Sequence, residues 1–377
     1  MSKFQFIIIG YGHIGKRHAA IVAGMEGCEV IGIVESRDQN PETRIVEGNV
    51  DGGVSNLFYD SIDGFLREHS FLNTKDTKEA QSSQYEEKTN SHNPKLKSQN
   101  LIAVIATPNN IHCQQAIQCL NAGMHVVIEK PMGLTATECR EVIDTAKANN
   151  KQVFCVMQNR YSPPSVWLKE IMGSGRLGKL FHVQVNCIWN RNADYYKQSD
   201  WKGILAKDGG TLFTQFSHFV DTLHWLFGDL TPTSARFYNF NHPEIEFEDS
   251  GFFDFEIRNG GIGSFHYSTS AFGSNLESSI TILGENGSVK VGGQYMDQVI
   301  ACNIKDYQMP ELTPTLPPNN YGHYKGSASN HEFVYRNMVD VLNGKADIDC
   351  KAEEGLRVVE TIETVYRMRD LSKLKTL

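Results

Sequence analysis

The stretch FIIIGYGHIGKRH, residues 6–18, decides the fold of the first part of the chain. It begins within a continuous apolar run, Phe4–Ile9, which is typical of a strand buried on both faces of a parallel sheet. The run ends in the pattern GxGxxG, and a helix-like stretch follows. In such a turn Gly10 permits the tight bend, Gly12 lets a pyrophosphate approach the backbone, and Gly15 allows close packing of helix and strand. The stretch therefore predicts a dinucleotide-binding turn.

The end of the second predicted strand selects the cofactor. Glu35 lies twenty residues past Gly15, where a carboxylate accepts hydrogen bonds from the ribose hydroxyls and repels a 2′-phosphate. We therefore expect NAD, and Arg37 nearby leaves NADP as the alternative. The helix N-terminus adds N–H groups and a positive dipole end for the pyrophosphate, so His13 and Ile14 belong to the predicted cofactor site.

Two patterns of secondary structure divide the chain. Up to residue 158, buried strands alternate with helices of about 10–15 residues, which predicts an α/β, doubly wound parallel sheet. Later strands follow one another through turns such as RNGG and GENG, which predicts an α+β domain with a large open, mostly antiparallel sheet. We expect a Rossmann domain over 1–131 with a polar surface insertion at 73–100, a bridging segment at 132–158, a second domain over 159–350, and a C-terminal helix in 351–377 that packs near the Rossmann domain.

Composition excludes several classes of protein. The net charge of −8 provides no electrostatic footprint for general nucleic-acid binding. The eight cysteines form no CxxC pair, so we expect reduced thiols and neither disulfides nor a metal site. A strand begins almost at once and no apolar run reaches the roughly 20 residues of a membrane span. We therefore expect a cytoplasmic protein without a membrane partner.

A lysine follows another buried strand in HVVIEKPMGLT. Lys130 comes directly after the carboxyl end of this strand, where ligands of doubly wound folds bind, and Pro131 restricts its backbone. The preceding strand ends in the same manner in ATPNNIH, residues 106–112. With the glycine turn, these features indicate that Lys130 belongs to a functional site.

Together with DGGTLFTQFSHFVDTLHWLFG, residues 208–228, these motifs resemble the Gfo/Idh/MocA oxidoreductase family over nearly the whole chain. The resemblance implies a Rossmann domain, a second domain built on an open antiparallel sheet, and oxidation or reduction of sugar and cyclitol hydroxyls with a tightly held nicotinamide cofactor. It also implies that Glu129 and Lys130 lie at the nicotinamide end, and that the cofactor cleft is lined by Thr107, Pro108, Asn109 and His112.

The helix predicted over 210–227 supplies the other candidate catalytic residues. At helical spacing, Thr214, His218, Asp221 and Trp225 share a face that carries a hydroxyl, an imidazole, one acid and an indole, which suits the wall of a site. The resemblance places His218 near the reacting hydroxyl. Many family members carry an aspartate at the position of Thr214, so the acid that would pair with His218 is missing. Either His218 or Lys130 is therefore the base, and Asp221 orients or caps.

Basic and aromatic residues after Trp189 indicate the substrate. Within WNRNADYYKQSDWKG, cationic groups suit a phosphate or carboxylate and aromatic rings suit a base or sugar face. This combination resembles the sugar-nucleotide branch of the family, the UDP-N-acetylglucosaminuronate 3-dehydrogenases of surface-polysaccharide biosynthesis, which oxidise a ring hydroxyl to a ketone. The predicted substrate-binding residues are Asn159, Arg160, Tyr161, Arg191, Tyr195, Trp201, Lys202, Gln215, Lys325 and His331.

Two other functions stay open from the sequence. One is dehydrogenation of a free cyclitol or simple sugar, which needs fewer basic residues. The other is a non-catalytic NAD-binding regulatory protein, for which Thr214 is the best support and against which Lys130 and His218 argue. The open face of the second sheet must be covered, so we expect a homodimer or homotetramer.

Overall fold

The computed structural model describes residues 4–36, 58–69, 100–320 and 325–369. Arg37 and the predicted insertion, apart from Asn100, lie outside the described residues. The chain divides into two compact units. The first consists of residues 1–107, 114–128 and 142–153, and the second of residues 108–113, 129–141 and 154–377.

The first sheet is six-stranded and has the order β3-β2-β1-β4-β5-β6. The paired strands β3–β2, β2–β1, β1–β4 and β4–β5 run parallel. Every residue of β4, LIAVI, is buried, as expected for a strand covered on both faces. The doubly wound prediction is therefore confirmed. The strands are β1 Phe4–Ile9, β2 Cys28–Val34, β3 Phe58–Tyr59, β4 Leu101–Ile105, β5 His125–Ile128 and β6 Val153–Cys155, and the helices are α1 His13–Ala23, α2 Ile62–Glu68, α3 His112–Asn121 and α4 Ala136–Ala148.

The second sheet is seven-stranded and has the order β13-β12-β11-β7-β10-β9-β8. Only the β7–β10 pair is parallel, so the prediction of a mostly antiparallel sheet is confirmed. In β7, Val183, Val185 and Cys187 are buried while the residues between them are half-buried. The strands are β7 Leu180–Ile188, β8 Leu230–Tyr238, β9 Ser250–Ile257, β10 Ile262–Ser268, β11 Glu277–Gly284, β12 Gly287–Gly292 and β13 Gln298–Ile304; a separate hairpin contains β14 Pro318–Asn320 and β15 Lys325–Ala328.

Several helices of this second unit pack against its sheet. The predicted helix over 210–227 is two elements, a π-helical turn at Leu212–Phe216 and then helix α8, Ser217–Phe227. The C-terminal helix α10, Ala352–Arg367, packs against α8 and β8. None of the helices within the described ranges is long and apolar enough to cross a membrane. The helices are α5 Pro163–Gly173, α6 Ala193–Lys197, α7 Leu205–Asp208, α8 Ser217–Phe227, α9 His331–Leu342 and α10 Ala352–Arg367.

Candidate active site

The glycine turn of the first unit has the shape that a dinucleotide needs. Gly10 adopts φ +87°, and a Cβ there would lie 2.6 Å from the carbonyl oxygen of Ala106. A Cβ at Gly15 would lie 1.9 Å from the carbonyl oxygen of Gly10. A Cβ at Gly12, by contrast, would meet nothing within 4 Å, and no side chain caps the helix that begins at His13. The turn thus presents backbone N–H groups on an open side, which fits a pyrophosphate.

Glu35 lies directly after β2 and beside this turn. Its Oε2 accepts a hydrogen bond from the backbone N–H of Tyr11 at 2.9 Å. The carboxylate is therefore fixed at the edge of the turn, where the predicted ribose contact requires an acceptor. The residues present fit NAD; His13 and Ile14 occupy the first turn of α1.

In the second unit, Lys130 is held by the π-helical turn. Its Nζ donates a hydrogen bond to the carbonyl oxygen of Thr214 at 2.7 Å. Burial lowers the pKa of Lys130 and the cation of Arg191 lowers it further, while Glu129 and Asp208 oppose the shift. The ammonium is therefore easier to deprotonate than an exposed lysine.

His218, at the second position of α8, has no hydrogen-bond partner for either ring nitrogen within the part of the chain that the structure describes. The side chain is buried. Burial and the nearby Lys130 hold the pKa of His218 well below its usual value, so the ring is neutral. A buried imidazole with two unsatisfied nitrogens is costly. His218 is therefore placed to hydrogen-bond a ligand.

Two further ionisable groups belong to the same cluster. Nε2 of the buried His331, at the start of α9, lies 3.8 Å from Oε1 of Glu129. His331 also lowers the pKa of His218, and Glu129 raises it. Lys130, His218 and His331 were all predicted from the sequence, and the fold brings them together.

Asp208 is an acid of this cluster that sequence reasoning missed. It ends α7, is buried, and its Oδ2 accepts from the N–H of Gly203 at 2.9 Å. Its Oδ1 accepts a hydrogen bond from the hydroxyl of Thr214. Burial raises the pKa of Asp208 to about 6, although these hydrogen bonds and the cation of Lys202 lower it. The signal available in the sequence was an acid at the first position of the motif over residues 208–228, directly before Gly209 and Gly210.

A second basic group lies near Asp208. Arg191 is buried, its Nε donates to Oε1 of Gln215 at 2.7 Å, and its guanidinium lies 5.2 Å from the ring centre of Tyr195. Nζ of Lys202 lies 3.9 Å from the centre of the same ring. Burial and Arg191 lower the pKa of Lys202 to about 8. These four predicted substrate residues therefore form one basic-aromatic surface.

Arg160 and Tyr161 do not join this surface. The guanidinium of Arg160 is buried and makes a bidentate pair with Asp221, at 2.8 Å and 2.5 Å. It also donates to Oε1 of Glu354 at 3.0 Å, and Tyr161 donates to Asp349 at 3.1 Å. The prediction that Arg160 binds substrate is therefore corrected to a structural role, because its donors point at protein acceptors. The role of Asp221, predicted to orient or cap, stays a prediction.

The remaining predicted residues have mixed placements. Thr107 donates to Gln115 at 2.7 Å within the first unit. In the second unit Nδ1 of His112 lies 2.8 Å from the carbonyl oxygen of Pro131. Oδ1 of Asn159 is buried without a partner among the described residues, and Trp201 is half-buried. The side chain of Lys325 lies outside the described residues.

The fold, the glycine turn and the Lys130 cluster define an NAD-binding oxidoreductase. The model of the oxidoreductase family with an NAD-binding Rossmann fold matches residues 4–157, and the Gfo/Idh/MocA C-terminal domain model matches residues 166–290. The chain belongs to the Gfo/Idh/MocA family. The predictions of the family and of NAD as its cofactor are confirmed.

Individual relatives differ in what they act on. An uncharacterised oxidoreductase of Synechocystis is 34% identical over 35% of this chain and 36% of its own length. The inositol 2-dehydrogenase of Salmonella typhimurium is 24% identical over 59% of this chain and 54% of its own. The chain thus spans about a third to a half of these curated relatives. The WlbA dehydrogenase of Bordetella pertussis, solved with NADH and UDP-GlcNAcA, is 26% identical, with a TM-score of 0.77 over 97% of this chain and 96% of that one.

Proposed function

We propose that the protein oxidises a ring hydroxyl of an acidic sugar nucleotide, of the UDP-N-acetylglucosaminuronate type, to a ketone. The observation that carries the proposal is the pair formed by the half-buried Lys130 and the buried His218, in which His218 offers two ring nitrogens with no hydrogen-bond partner within the described residues. NAD, when bound at the glycine turn, supplies the hydride acceptor. The chain itself must then orient the hydroxyl and remove its proton.

Lys130 is the stronger candidate for the base. Its pKa is lowered, so the neutral amine forms more readily than in an exposed lysine, and a neutral Nζ takes the hydroxyl proton. The resulting ammonium donates to the carbonyl oxygen of Thr214, 2.7 Å away. His218, whose pKa is well below its usual value, is a weak base and stays neutral. We assign it the hydrogen bond that orients the substrate hydroxyl.

The charge of the cluster supports an anionic substrate. Arg191 lowers the pKa of Lys202, so these two cations lie within electrostatic reach of each other. Such a field favours a ligand that carries carboxylate or phosphate groups. The ring of Tyr195, beside both Arg191 and Lys202, provides a face for a sugar or base.

Incubation with NAD and UDP-N-acetylglucosaminuronate tests the proposal. We expect reduced nicotinamide by absorbance and a 3-keto product by mass spectrometry, with further turnover when a 2-oxo acid is added to reoxidise the cofactor. Myo-inositol and glucose are tested in parallel. Turnover of these and none of the sugar nucleotide would favour the activity of the inositol 2-dehydrogenase relative. The absence of a ketone under both conditions would remove the proposed substrate.

Replacement of Lys202 by alanine is expected to raise KM for the sugar nucleotide about 10- to 100-fold and leave kcat nearly unchanged, because a charge-assisted hydrogen bond contributes roughly 1.5–3 kcal/mol. In the unmodified enzyme KM should also rise as the pH increases through about 8, where Lys202 loses its charge. Steady-state kinetics from pH 6 to pH 9 measure both effects.

Lys197→Ala is the matched control, since Lys197 is exposed and belongs to the same stretch of chain. An unchanged KM in Lys202→Ala would place the anionic groups of the substrate elsewhere. If KM for a free sugar is also unchanged while that sugar is the better substrate, the cyclitol alternative is favoured.

A further inference from the structure

We propose that Asp208 is a positioning residue that acts on Lys130 through Thr214. The inference rests on the proposed role of Lys130 and deepens it. The acid absent at position 214 is supplied from a different place in the chain, the C-terminal end of α7. It acts on the lysine and not on His218, for which the sequence had suggested an acidic partner.

The geometry forms a continuous chain of hydrogen bonds. The hydroxyl of Thr214 donates to Oδ1 of Asp208 and accepts from Nδ2 of Asn109 at 2.8 Å. The same Nδ2 donates to the carbonyl oxygen of Asp208, also at 2.8 Å. The carbonyl oxygen of Thr214 then accepts from Nζ of Lys130 at 2.7 Å. Thr214 is therefore fixed from its side chain and presents its carbonyl to the ammonium.

The backbone around Thr214 explains why this support is needed. Thr214 is the middle residue of the π-helical turn, and such turns occur mostly as single-turn interruptions at functional sites. Gly209 and Gly210, which come before this turn, adopt φ +87° and +122°, conformations that L side chains rarely take. Asp208, tied also to the N–H of Gly203 at 2.9 Å, joins α7 to this irregular segment. A buried carboxylate with this set of donors holds the turn in one position.

Asp208 also contributes its charge to Lys130. The groups that act on Lys130 electrostatically are the acids Glu129 and Asp208 and the cation Arg191. The cluster has three further ionisable groups, His218, His331 and Lys202. Lys130 and His331 both lower the pKa of His218, and Lys202 lowers the pKa of Asp208. Removal of the charge of Asp208 leaves Arg191 opposed by Glu129 alone. The ammonium of Lys130 should then lose its proton at a lower pH.

The first test measures the titration of Lys130 without turnover. The full-length protein and its Asp208→Asn variant are trace-labelled with acetic anhydride between pH 6 and pH 11, and the Lys130 peptide is quantified by mass spectrometry. We expect the midpoint for Lys130 to fall by about one unit in the variant. Asp254→Asn is the control, because this half-buried sheet acid bonds Ser234. An unchanged Lys130 midpoint in a folded, NAD-binding Asp208→Asn variant would overturn the proposal.

The second test examines the hydrogen bond of the Thr214 hydroxyl separately from the charge of Asp208. Thr214→Val keeps the volume and removes the hydroxyl, whereas Thr214→Ser keeps the hydroxyl. With a substrate that the unmodified enzyme turns over, we expect kcat to fall about 10- to 100-fold in Thr214→Val and to stay within about threefold in Thr214→Ser, with KM nearly constant in both. Equal losses in both variants would overturn the role of the hydroxyl. Because the labelling needs no substrate, failure of the proposed reaction would leave the first result interpretable.

Discussion

Replacement of Lys130 by methionine is expected to lower kcat about 1,000-fold and to change the affinity for NAD by less than about twofold. Methionine fills a similar volume but has neither the amine that takes the proton nor the charge that stabilises an alkoxide, and such groups contribute about 100- to 10,000-fold. NAD affinity should persist because the glycine turn and Glu35 belong to the first unit, whereas Lys130 belongs to the second. Single-turnover kinetics and titration calorimetry measure the two quantities.

The Lys130 variant also separates an enzyme from a non-catalytic NAD-binding protein. In the second case Lys130→Met has no turnover to lose, and the unmodified protein is inactive on every sugar tested. Lys179→Met, at an exposed position, serves as the control for a change of lysine to methionine. A large loss of NAD affinity in Lys130→Met would make Lys130 a cofactor anchor and contradict its assignment as the base.

The base and the orienting residue should differ in their pH profiles. In His218→Gln we expect kcat to fall about 10- to 100-fold while the pH at which activity is half-maximal stays that of Lys130. If the pH dependence of kcat is lost in the His218 variant but remains in the Lys130 variant, His218 is the base and Lys130 the orienting residue.

The fold of the first unit was predictable because its sequence patterns are local. A strand such as Leu101–Ile105 is covered on both faces and is therefore apolar throughout. The two-residue strand Phe58–Tyr59 is too short to carry a pattern and was not predicted. The edge strand Gln298–Ile304 was missed for another reason, because only its last residue, Ile304, is fully buried and so no alternation marks it. The parallel β7–β10 pair joins strands that are distant in the chain, which hairpin reasoning cannot predict.

Site residues were predictable where they lie near the end of a strand or on one face of a helix. They were unpredictable where segments distant in the chain come together. Lys130 lies two residues past the end of β5, and His218 lies on a helix face. Asp208 is six residues before Thr214, a separation that fits no helical face, and two left-handed glycines intervene to bring the two together. Arg160 resembled a ligand-binding cation in the sequence, because its partner Asp221 is 61 residues away.

Replacement of Arg160 by methionine is expected to destabilise the second unit by about 3–5 kcal/mol, since it leaves the buried Asp221 as an uncompensated charge. Burial raises the pKa of Asp221 and Arg160 holds it down. In the variant this pKa rises further, above its value in the unfolded chain, so the loss of stability is larger at pH 8 than at pH 5. All four tryptophans belong to the second unit, so urea unfolding followed by tryptophan fluorescence measures this effect.

The matched control for Arg160→Met has the same chemistry at the surface. Arg258 donates to Asp229 at 2.7 Å, but the two side chains are 75% and 48% exposed, so Arg258→Met should cost less than about 1 kcal/mol. The double variant Arg160→Met/Asp221→Asn should recover part of the loss, because it removes the stranded charge. Equal effects for Arg160 and Arg258 would contradict the predicted cost of leaving Asp221 unpaired. No recovery in the double variant would mean that the contacts of Arg160 with Glu354 and the Asp349 carbonyl dominate. Arg160 would then stabilise α10 more than it neutralises Asp221.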